Sequence, residues 1–255
     1  MGKNKIRINY DDGSVIVGKN PVREALRGNR KIEKIYISDR RNVDSSDIEK
    51  LAKNKNIEII KVPVEKIEEL AGNCNHQGIL AISAPYEYAN LEDIICESKN
   101  KGEDPFIIVL DGIEDPHNLG AISRTAECAF CDGIIVSKKR SCGVTPAVLR
   151  ASAGAVENIK IARVTNIGRA IDELKKNGIW IAACDMDGEN CFNTKALDGP
   201  IAIVIGNEGK GVSRLVKEKC DFTVSIPMKG KINSLNASNA AAIIMYEIRR
   251  RREQE

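Results

Sequence analysis

Residues 106–124 read Phe-Ile-Ile-Val-Leu-Asp-Gly-Ile-Glu-Asp-Pro-His-Asn-Leu-Gly-Ala-Ile-Ser-Arg, which is an apolar run, then a polar loop with glycine, then a helical stretch. The same order recurs where residues 201–205 precede Gly-Asn-Glu-Gly-Lys-Gly at 206–211, and where residues 222–226 precede Ser-Leu-Asn-Ala-Ser at 234–238. Such apolar runs predict strands. Polar loops that follow the strands of an open α/β sheet gather at one edge, where ligands bind. We therefore expect these three loops to build one site.

The second half of the chain continues this alternation of strands and helices. Its apolar runs predict six strands, at 106–110, 133–136, 159–163, 179–184, 201–205 and 222–226. Because these runs are almost continuously apolar, they predict a mostly parallel sheet that is covered on both faces. A last helix is expected at about 235–251, where an alanine-rich stretch leads into four consecutive arginines, Arg249 to Arg252. We interpret the arginine run as a charge complement to the helix C-terminus or a solubilising tail, in preference to an RNA clamp.

The first part of the chain predicts a smaller α/β unit. Short β-branched runs indicate strands at 15–17, 34–37, 57–60 and 79–82. Helical patterns between them fall at about 21–28, 45–55 and 64–71. This order is typical of a compact α/β sandwich, which we assign to residues 1–85. Residues 86–104 turn polar and charged and are predicted to be a linker with a short helix at 90–98, so that 105–255 form the second domain.

Composition places the chain among ordinary globular proteins. Hydrophobic residues make up 42% and charged residues 29% of its 255 residues, and the net charge is +3. The first 85 residues hold 16 Lys/Arg and 12 Asp/Glu, whereas the rest hold 23 and 24. A mildly basic N-terminal part suits a phosphate-rich partner, although a solvated basic surface explains the charge equally well. No apolar run of about 18 residues and no signal-peptide pattern is present, so we expect a cytoplasmic protein without a membrane segment.

The cysteines and histidines indicate neither disulfides nor a metal site. The eight cysteines are scattered, and several stand in apolar contexts that are typical of a reduced protein. Cys128 and Cys131 form a single C-x-x-C pair, and the only histidines are His76 and His117. A structural zinc site needs about four ligands, so we expect no metal.

The loops fail the common nucleotide-binding patterns. Gly206 and Gly211 have P-loop spacing, but Val212-Ser213 stands where Lys-Ser/Thr is required, and no G-x-G-x-x-G follows a strand. Arg124 lies in an otherwise small and apolar helical stretch, where an unpaired charge would be costly to bury. A substrate anion and a structural salt bridge remain equally good partners for it.

The three loops resemble the three signature motifs of the SpoU-type, or TrmH-type, RNA ribose 2′-O-methyltransferases of the SPOUT superfamily. Residues 110–126 match motif one, 204–211 match motif two, and 226–228 with 234–238 match motif three. Val-Gly-Lys-Asn-Pro-Val-Arg-Glu-Ala-Leu from Val17 and Asn-His-Gln-Gly-Ile from Asn75 are similar to the family's N-terminal RNA-binding domain. The resemblance covers nearly the whole chain. It is nearest to enzymes that methylate a guanosine in the peptidyl-transferase region of large-subunit (23S) ribosomal RNA.

The resemblance implies a fold, a cofactor and partners. The fold is a C-terminal SPOUT catalytic domain with a mostly parallel sheet and a trefoil knot, preceded by an L30e-like RNA substrate-binding domain. The methyl donor is S-adenosyl-L-methionine, held by backbone groups around Gly206, Ile226 and Leu235, with the Cys184-Asp185 turn as a lesser candidate. The family acts as a homodimer whose site is completed across the interface. The RNA-contacting residues that the resemblance implies are Asn20, Arg23, His76 and Gln77.

The resemblance also implies catalytic positions. These are Asn118, Arg124, Glu208, Ser234 and Asn236. Because a guanidinium stays protonated in proteins, we expect Arg124 to grip a neighbouring phosphate and to stabilise the developing alkoxide, rather than to accept a proton. Asn118 with Ser234 or Asn236 is expected to position the ribose, and Glu208 to orient Arg124 or the substrate.

Other functions remain open at this stage. An RNA-binding module without catalysis would leave the three motifs decayed, and they are intact. A nucleotide-dependent enzyme would need the absent P-loop lysine. Among methyltransferases, transfer RNA is the rival substrate, and the basic N-terminal part favours ribosomal RNA.

Overall fold

The computed structural model describes residues 13–40, 42–72, 74–100, 102–231 and 234–254. The chain divides into two compact units. The first comprises the residues up to Glu87 together with Gly143–Asn158, and the second comprises Tyr88–Cys142 and Ile159–Glu255. None of the helices in the described ranges combines the length and the apolar character that a membrane span requires.

The first unit is built on a four-stranded sheet. Its elements are β1 (Val15–Val17), α1 (Lys19–Arg27), β2 (Ile32–Ser38), α2 (Ser46–Asn54), β3 (Glu58–Val62), α3 (Val64–Ala71) and β4 (Ile79–Ser83). The strand order is β1-β4-β2-β3, in which β4 runs antiparallel to both neighbours and β2 is parallel to β3. Val17, Leu80 and Ile67 pack in one core cluster and hold α3 against the sheet. The predicted alternation of strands and helices is therefore present.

The second unit is built on a six-stranded sheet. Its elements, together with the intervening helix α6, are α4 (Leu91–Asn100), β5 (Phe106–Asp111), α5 (Pro116–Cys128), β6 (Gly133–Ser137), α6 (Pro146–Ala151), β7 (Lys160–Val164), α7 (Ile167–Lys176), β8 (Trp180–Asn190), β9 (Ile201–Gly206), α8 (Arg214–Lys217), β10 (Phe222–Ser225) and α9 (Ala237–Arg252). The strand order is β10-β8-β9-β5-β6-β7, and each neighbouring pair is parallel. The predicted α/β class with a mostly parallel sheet is confirmed.

Burial on both faces explains why the strands of this sheet are so apolar. Successive side chains of a strand point to opposite faces. Ile107 and Val204 lie in a core cluster with residues of α4 and α7, while Ile108 and Ile203 are equally buried on the opposite face. Helices therefore cover both sides, as the near-continuous apolar runs predict.

Residues 86–104 differ from the predicted linker. The segment contains α4, which is longer than the helix expected at 90–98. Ile94 and Ile95 of this helix are buried in the core cluster of the second unit. Several polar residues of the segment, such as Glu92 and Lys99, lie on the exposed side of this amphipathic helix, so most of the segment belongs to the folded second unit.

Residues 143–158 lie in the first unit, although the sequence pattern places them in the domain that begins at 105. Val148 and Leu149 of α6 are fully buried. Arg30 Nη1 and Glu157 Oε1 form an ion pair at 2.8 Å, and both side chains are almost completely buried. Breaking such a pair would leave an uncompensated buried charge. This segment is therefore an integral part of the first unit.

The C-terminal arginines are tied to the second unit. Arg249 Nη1 pairs with Glu103 Oε2 at 2.9 Å, and Arg251 Nε pairs with Glu247 Oε1 at 2.7 Å. Hydrogen bonds from Arg250 and Arg251 hold the pKa of Glu247 below its ordinary value, despite partial burial of that carboxyl. Arg252 Nη2 donates to the carbonyl oxygens of residues 105 and 199 at 3.0 and 3.1 Å. The run thus anchors the end of α9 to the segments that lead into β5 and β9.

Candidate active site

A cavity of about 380 Å³ lies in the second unit, beside the middle of β8 and the carboxyl end of β9. Its lining residues come from the middle of β8, the end of β9 and the loop after it, the loop after β10 and the start of α9. They are Cys184, Asp185, Met186, Ile205, Gly206, Asn207, Glu208, Gly209, Lys210, Gly211, Ile226, Met228, Ser234, Leu235, Ala237 and Ala240. The expected cofactor-binding residues Gly206, Ile226 and Leu235 all lie on this wall. The volume is within the range of about 300–1,000 Å³ that is typical of small-molecule sites.

The loop after β9 is a tight turn that only glycine permits at two positions. Asn207 N donates to Gly211 O at 3.1 Å, and Gly211 N donates to Asn207 O at 2.7 Å. Gly211 has φ +64°, and a Cβ on Gly206 would overlap the backbone of Gly211 and Val212. The turn therefore brings backbone groups to the cavity wall, where a side chain would block them.

Asn207 holds this turn against the loop after β5. Its Nδ2 donates to Gly112 O at 3.0 Å, and its Oδ1 accepts from Gly209 N at 2.9 Å. Asp111 Oδ2 also accepts from the backbone N of Ser213 at 2.8 Å. Asn207 is not among the site residues expected from the sequence, although an asparagine at the start of a glycine-rich turn is a signal for such side-chain to backbone bonds.

Asn118, Glu208 and Asn236 meet in one polar cluster. Asn118 Nδ2 donates to Glu208 Oε1 at 3.0 Å, and Asn236 Nδ2 donates to Asn118 Oδ1 at 2.9 Å. Asn236 Nδ2 also donates to Glu208 Oε1. These residues come from the loops after β5, β9 and β10. The three separate sequence segments therefore contribute to a single site beside the cavity.

Helix starts position two members of this cluster. Asp115 caps α5 by accepting from His117 N at 2.8 Å, and Pro116 occupies its first turn, so the helix begins at a defined residue and points Asn118 inward. Asn118 is only 6% exposed. Asn236 caps α9, since its Oδ1 accepts from Ser238 N at 2.9 Å. Asn236 thus has a structural role as well as a place in the cluster.

Arg124 and Ser234 do not join the cluster. Arg124 lies on the exposed side of α5 and forms no hydrogen bond or ion pair with any residue in the described ranges. Its charge is therefore not buried, so the expected cost of burying an unpaired charge at this position does not arise. A salt bridge was one of the two expected interactions of Arg124, and the described part of the chain contains none. Ser234 is exposed and lines the cavity mouth.

The middle of β8 borders the cavity where its pairing with β10 is interrupted. Thr223 pairs with Ala183, but Val224 pairs with Glu189, so residues 184–188 have no partner in β10, although Cys184 still pairs with Ile205 of β9. Burial raises the pKa of the Cys184 thiol to about 12, with smaller contributions from Cys191 and Asp185. This thiol therefore stays neutral at physiological pH. Because only the thiolate is nucleophilic, Cys184 serves as part of the cavity wall and not as a nucleophile. Asp185 Oδ2 is held by Lys217 Nζ at 2.9 Å.

The four expected RNA-contacting residues lie in the first unit. Arg23 Nη2 donates to Asn20 Oδ1 at 2.9 Å on the first turns of α1. Gln77 Oε1 accepts from the backbone N of Lys19 at 3.2 Å and so meets the start of the same helix. His76 Nδ1 accepts from Gly78 N at 3.0 Å. The side chains of Asn20, Arg23 and Gln77 are thus brought to one end of α1. Gln77 also accepts a hydrogen bond from the first backbone N–H of that helix.

No group of three or more His, Cys, Asp or Glu side chains within the described ranges is arranged to hold a metal ion. The titratable groups at the cavity are Cys184, Asp185, Glu208 and Lys210.

Two family models match the chain. The model described as the SpoU rRNA Methylase family covers residues 105–246, and the model described as RNA 2′-O ribose methyltransferase substrate binding covers residues 15–89. A protein of Staphylococcus haemolyticus described as a TrmH family tRNA/rRNA methyltransferase is 46% identical over 241 residues, which are 94% of this chain and 96% of the relative.

Solved structures show the same fold over nearly the whole chain. The SpoU methyltransferase AviRb from Streptomyces viridochromogenes, in complex with the cofactor AdoMet, has a TM-score of 0.80 at 27% identity and covers 94% of this chain and 90% of its own. The AdoMet-bound rRNA methyltransferase from Sinorhizobium meliloti has a TM-score of 0.79 at 25% identity and covers 94% of this chain and 88% of its own.

Proposed function

The chain belongs to the SpoU rRNA methylase family of RNA methyltransferases, and we propose that it transfers a methyl group from S-adenosylmethionine to a ribose 2′-hydroxyl of RNA. We further propose that the target is a guanosine of large-subunit ribosomal RNA. Transfer RNA is the second candidate, because the S. haemolyticus relative is described as a tRNA/rRNA methyltransferase. The observation that carries the proposal is the cluster of Asn118, Glu208 and Asn236 beside the cavity.

The cavity suits the proposed cofactor. Its wall combines apolar side chains, such as Ile205 and Leu235, with the glycine turn whose backbone is open to a ligand. A ligand with an apolar base and several polar groups needs such a mixed wall. When bound, S-adenosylmethionine supplies a methyl group carried on a sulfonium, from which a neutral thioether is an excellent leaving group. Gly206, Ile226 and Leu235 would hold it, and the neutral Cys184 thiol would not compete for the methyl group.

The residues of the cluster then have to position a weak nucleophile. A ribose hydroxyl gains reactivity when it is held in line with the methyl carbon and when its proton is drawn away. Asn118 and Asn236 present amide groups that are fixed by Glu208, and Ser234 offers a hydroxyl at the cavity mouth. Together they bind and orient the ribose. Glu208 keeps the two amides in one arrangement, so its own contribution is to position them.

Arg124 supplies positive charge in this proposal. Its guanidinium cannot act as a base, because it remains protonated in proteins. It is exposed and makes no ion pair with any described residue, so it is free to meet an RNA phosphate. Once a phosphate beside the reacting ribose holds the guanidinium, its positive charge would stabilise negative charge that develops on the 2′-oxygen.

The first unit and the assembly also have proposed roles. We propose that the first unit binds RNA through Asn20, Arg23, His76 and Gln77, that the second unit carries the transfer, and that the enzyme acts in the cytoplasm as a homodimer. The C-terminal trefoil knot is proposed on the same family resemblance. The model described as substrate binding, which matches residues 15–89, supports the assignment of RNA binding to the first unit.

A direct assay tests the proposed reaction. The purified protein is incubated with S-adenosylmethionine and either unmodified ribosomal RNA or unmodified transfer RNA, and the RNA is digested to nucleosides for mass spectrometry. We expect 2′-O-methylguanosine from ribosomal RNA. The same product from transfer RNA alone would favour the second candidate. Methylation on a base only, or no methylation of either RNA, would refute ribose transfer.

A further inference from the structure

We infer that residues 137–142, called here the basic loop, form an RNA phosphate-binding surface within the second unit. The loop follows β6 and contains the consecutive residues Lys138, Lys139 and Arg140. All three side chains are exposed, and none of them forms an ion pair within the part of the chain that the structure describes. This inference rests on the proposed function, because it identifies where the same substrate is held.

The backbone of the basic loop is held in one conformation. Lys138 N donates to Val164 O at 2.7 Å, and Cys142 N donates to Ile113 O at 2.9 Å. Ser141 Oγ donates to Ser137 O, and Ser137 Oγ donates to the carbonyl oxygen of residue 139. Three cations on a fixed turn lose little backbone freedom when they bind a ligand.

The basic loop lies at the same edge of the sheet as the polar cluster. The strands β5 and β6 are parallel neighbours, so their following loops emerge side by side. The hydrogen bond from Cys142 to Ile113 ties the basic loop directly to the loop that leads to Asn118. Two strand spacings separate β6 from β9, which is on the order of 10 Å. A nucleotide held at the cluster would therefore have flanking phosphates within reach of these cations.

The chemistry of the loop fits a polyanion. Lysine and arginine side chains that neutralise phosphates supply the sequence-independent part of nucleic-acid affinity. Arg140 has φ +54°, in the left-handed region that favours glycine. The loop thus carries a cationic side chain at a position where glycine would fit the backbone better. The nearby acids Asp111 and Asp115 are engaged by the backbone N–H groups of Ser213 and His117. This leaves the cations of the basic loop available to a ligand.

The test is a charge-removing variant, Lys138→Gln/Lys139→Gln/Arg140→Gln, in the full chain. RNA affinity is measured with unmodified ribosomal RNA and with total transfer RNA over a range of salt concentrations. Each lost phosphate contact lowers the slope of log K against log salt by about 1, so we expect a decrease of about 2 to 3 on both RNAs. Affinity for S-adenosylhomocysteine and the melting temperature should match those of the wild type.

A control removes three charges from the opposite edge of the sheet. Lys99 and Lys176 are exposed at the C-terminal ends of α4 and α7, where Lys99 Nζ donates to Asn177 Oδ1 at 2.9 Å and Lys176 Nζ pairs with Glu173 Oε2 at 3.4 Å. Lys195 is exposed in the connection to β9. Their replacement by glutamine should leave the salt slope nearly unchanged. An equal decrease of the salt slope in this control would show that the effect depends only on net charge, and it would overturn the inference.

The single variant Arg140→Gly separates binding from folding. Glycine removes the left-handed strain, so the melting temperature should not fall, whereas RNA affinity should. A lower melting temperature with unchanged RNA affinity in both variants would overturn the inference. It would mean that the three cations stabilise the fold by balancing the negative charges of Asp111, Glu114 and Asp115. The proposed function is judged separately, by whether the wild-type protein methylates RNA at all. A wild-type enzyme that methylates RNA, beside a triple variant with unchanged RNA affinity, would refute only the basic-loop surface.

Discussion

At the scale of single residues, Glu208 connects three segments that are far apart in the sequence. Its Oε1 accepts from the side-chain amides of Asn118 and Asn236, and the backbone N of Ala237 lies at 3.4 Å from the same oxygen. Hydrogen bonds to a charged acceptor are stronger than those between neutral groups. The carboxylate therefore fixes the orientation of both amides.

Replacing Glu208 should affect both stability and transfer. Glu208→Ala leaves the buried amide of Asn118 without its acceptor, which we expect to cost about 1–3 kcal/mol of unfolding free energy. Glu208→Gln keeps an acceptor oxygen and should lose less stability, but it should still slow methyl transfer because the amides are held less firmly. Denaturant titration and single-turnover methylation measure the two effects. An alanine variant with wild-type stability and turnover would contradict this role.

Arg124 should behave in the opposite way. Because the side chain is exposed and has no ion-pair partner among the described residues, Arg124→Ala should change stability by no more than about 0.5 kcal/mol. S-adenosylhomocysteine binding should persist while turnover at saturating RNA is lost. Arg124→Lys keeps the charge but not the planar fork, and we expect it to be impaired by about a hundredfold or more. Near-normal turnover in a folded alanine variant would exclude the proposed role.

The meeting of the three loops at one edge follows from the sequence, and the reason is positional. Asn118, Glu208 and Asn236 all follow apolar runs, and the parallel sheet brings the ends of those runs to one edge. The exposure of Arg124 could not be predicted, because a charged residue among small apolar ones does not reveal which side of the helix it occupies. Asn207 was missed because its bonds join two loops whose proximity depends on strand order.

At the scale of elements, the turn after β9 determines the shape of the cavity. It can form only if the backbone of Gly206 passes directly against Gly211 and Val212. The strands around it were predictable from their apolar runs, since all six are present. The break in pairing between β8 and β10 was not, because register depends on contacts that the local pattern does not contain.

Two glycine variants test the turn. Gly206→Ala forces a Cβ into the facing backbone, so it should lower stability by about 1–3 kcal/mol and abolish S-adenosylhomocysteine binding. Gly209→Ala is the matched control, because the nearest heavy atom to its Cβ would be Asn207 Oδ1 at 3.5 Å, an ordinary contact. Its melting temperature should match the wild type. Calorimetry that finds unchanged ligand affinity in Gly206→Ala would show that the turn does not shape the cofactor site.

At the scale of the whole molecule, the chain crosses between its units more than once. Residues 143–158 return to the first unit after β6, and the chain then continues with β7 in the second. The sequence pattern placed this segment in the domain that begins at 105, because the order of strands and helices does not reveal which core a segment joins. Cutting the chain near residue 100 would separate Glu157 from Arg30, so the division of labour between the units is better tested by point variants in the full-length protein.

The proposed homodimer predicts complementation between two impaired variants. If Arg124 serves the cluster of the partner subunit, a mixed dimer of Arg124→Ala and Glu208→Gln chains contains one intact site. Co-expression at equal amounts should then restore about a quarter of wild-type activity, since half of the dimers are mixed and each has one working site. Transfer rates of differently tagged, co-purified chains measure this. Activity no higher than that of the separate variants would place the whole site within one chain.

The central claim is that this protein methylates a ribose of RNA through the cluster beside the cavity. Its most direct test maps 2′-O-methylation across ribosomal and transfer RNA from cells with the protein, without it, and with only the Glu208→Gln variant. We expect one guanosine of large-subunit ribosomal RNA to lose its 2′-O-methyl group without the protein, to regain it with the wild type, and to remain largely unmethylated with the variant. Identical 2′-O-methylation of both RNAs in all three strains would contradict the claim.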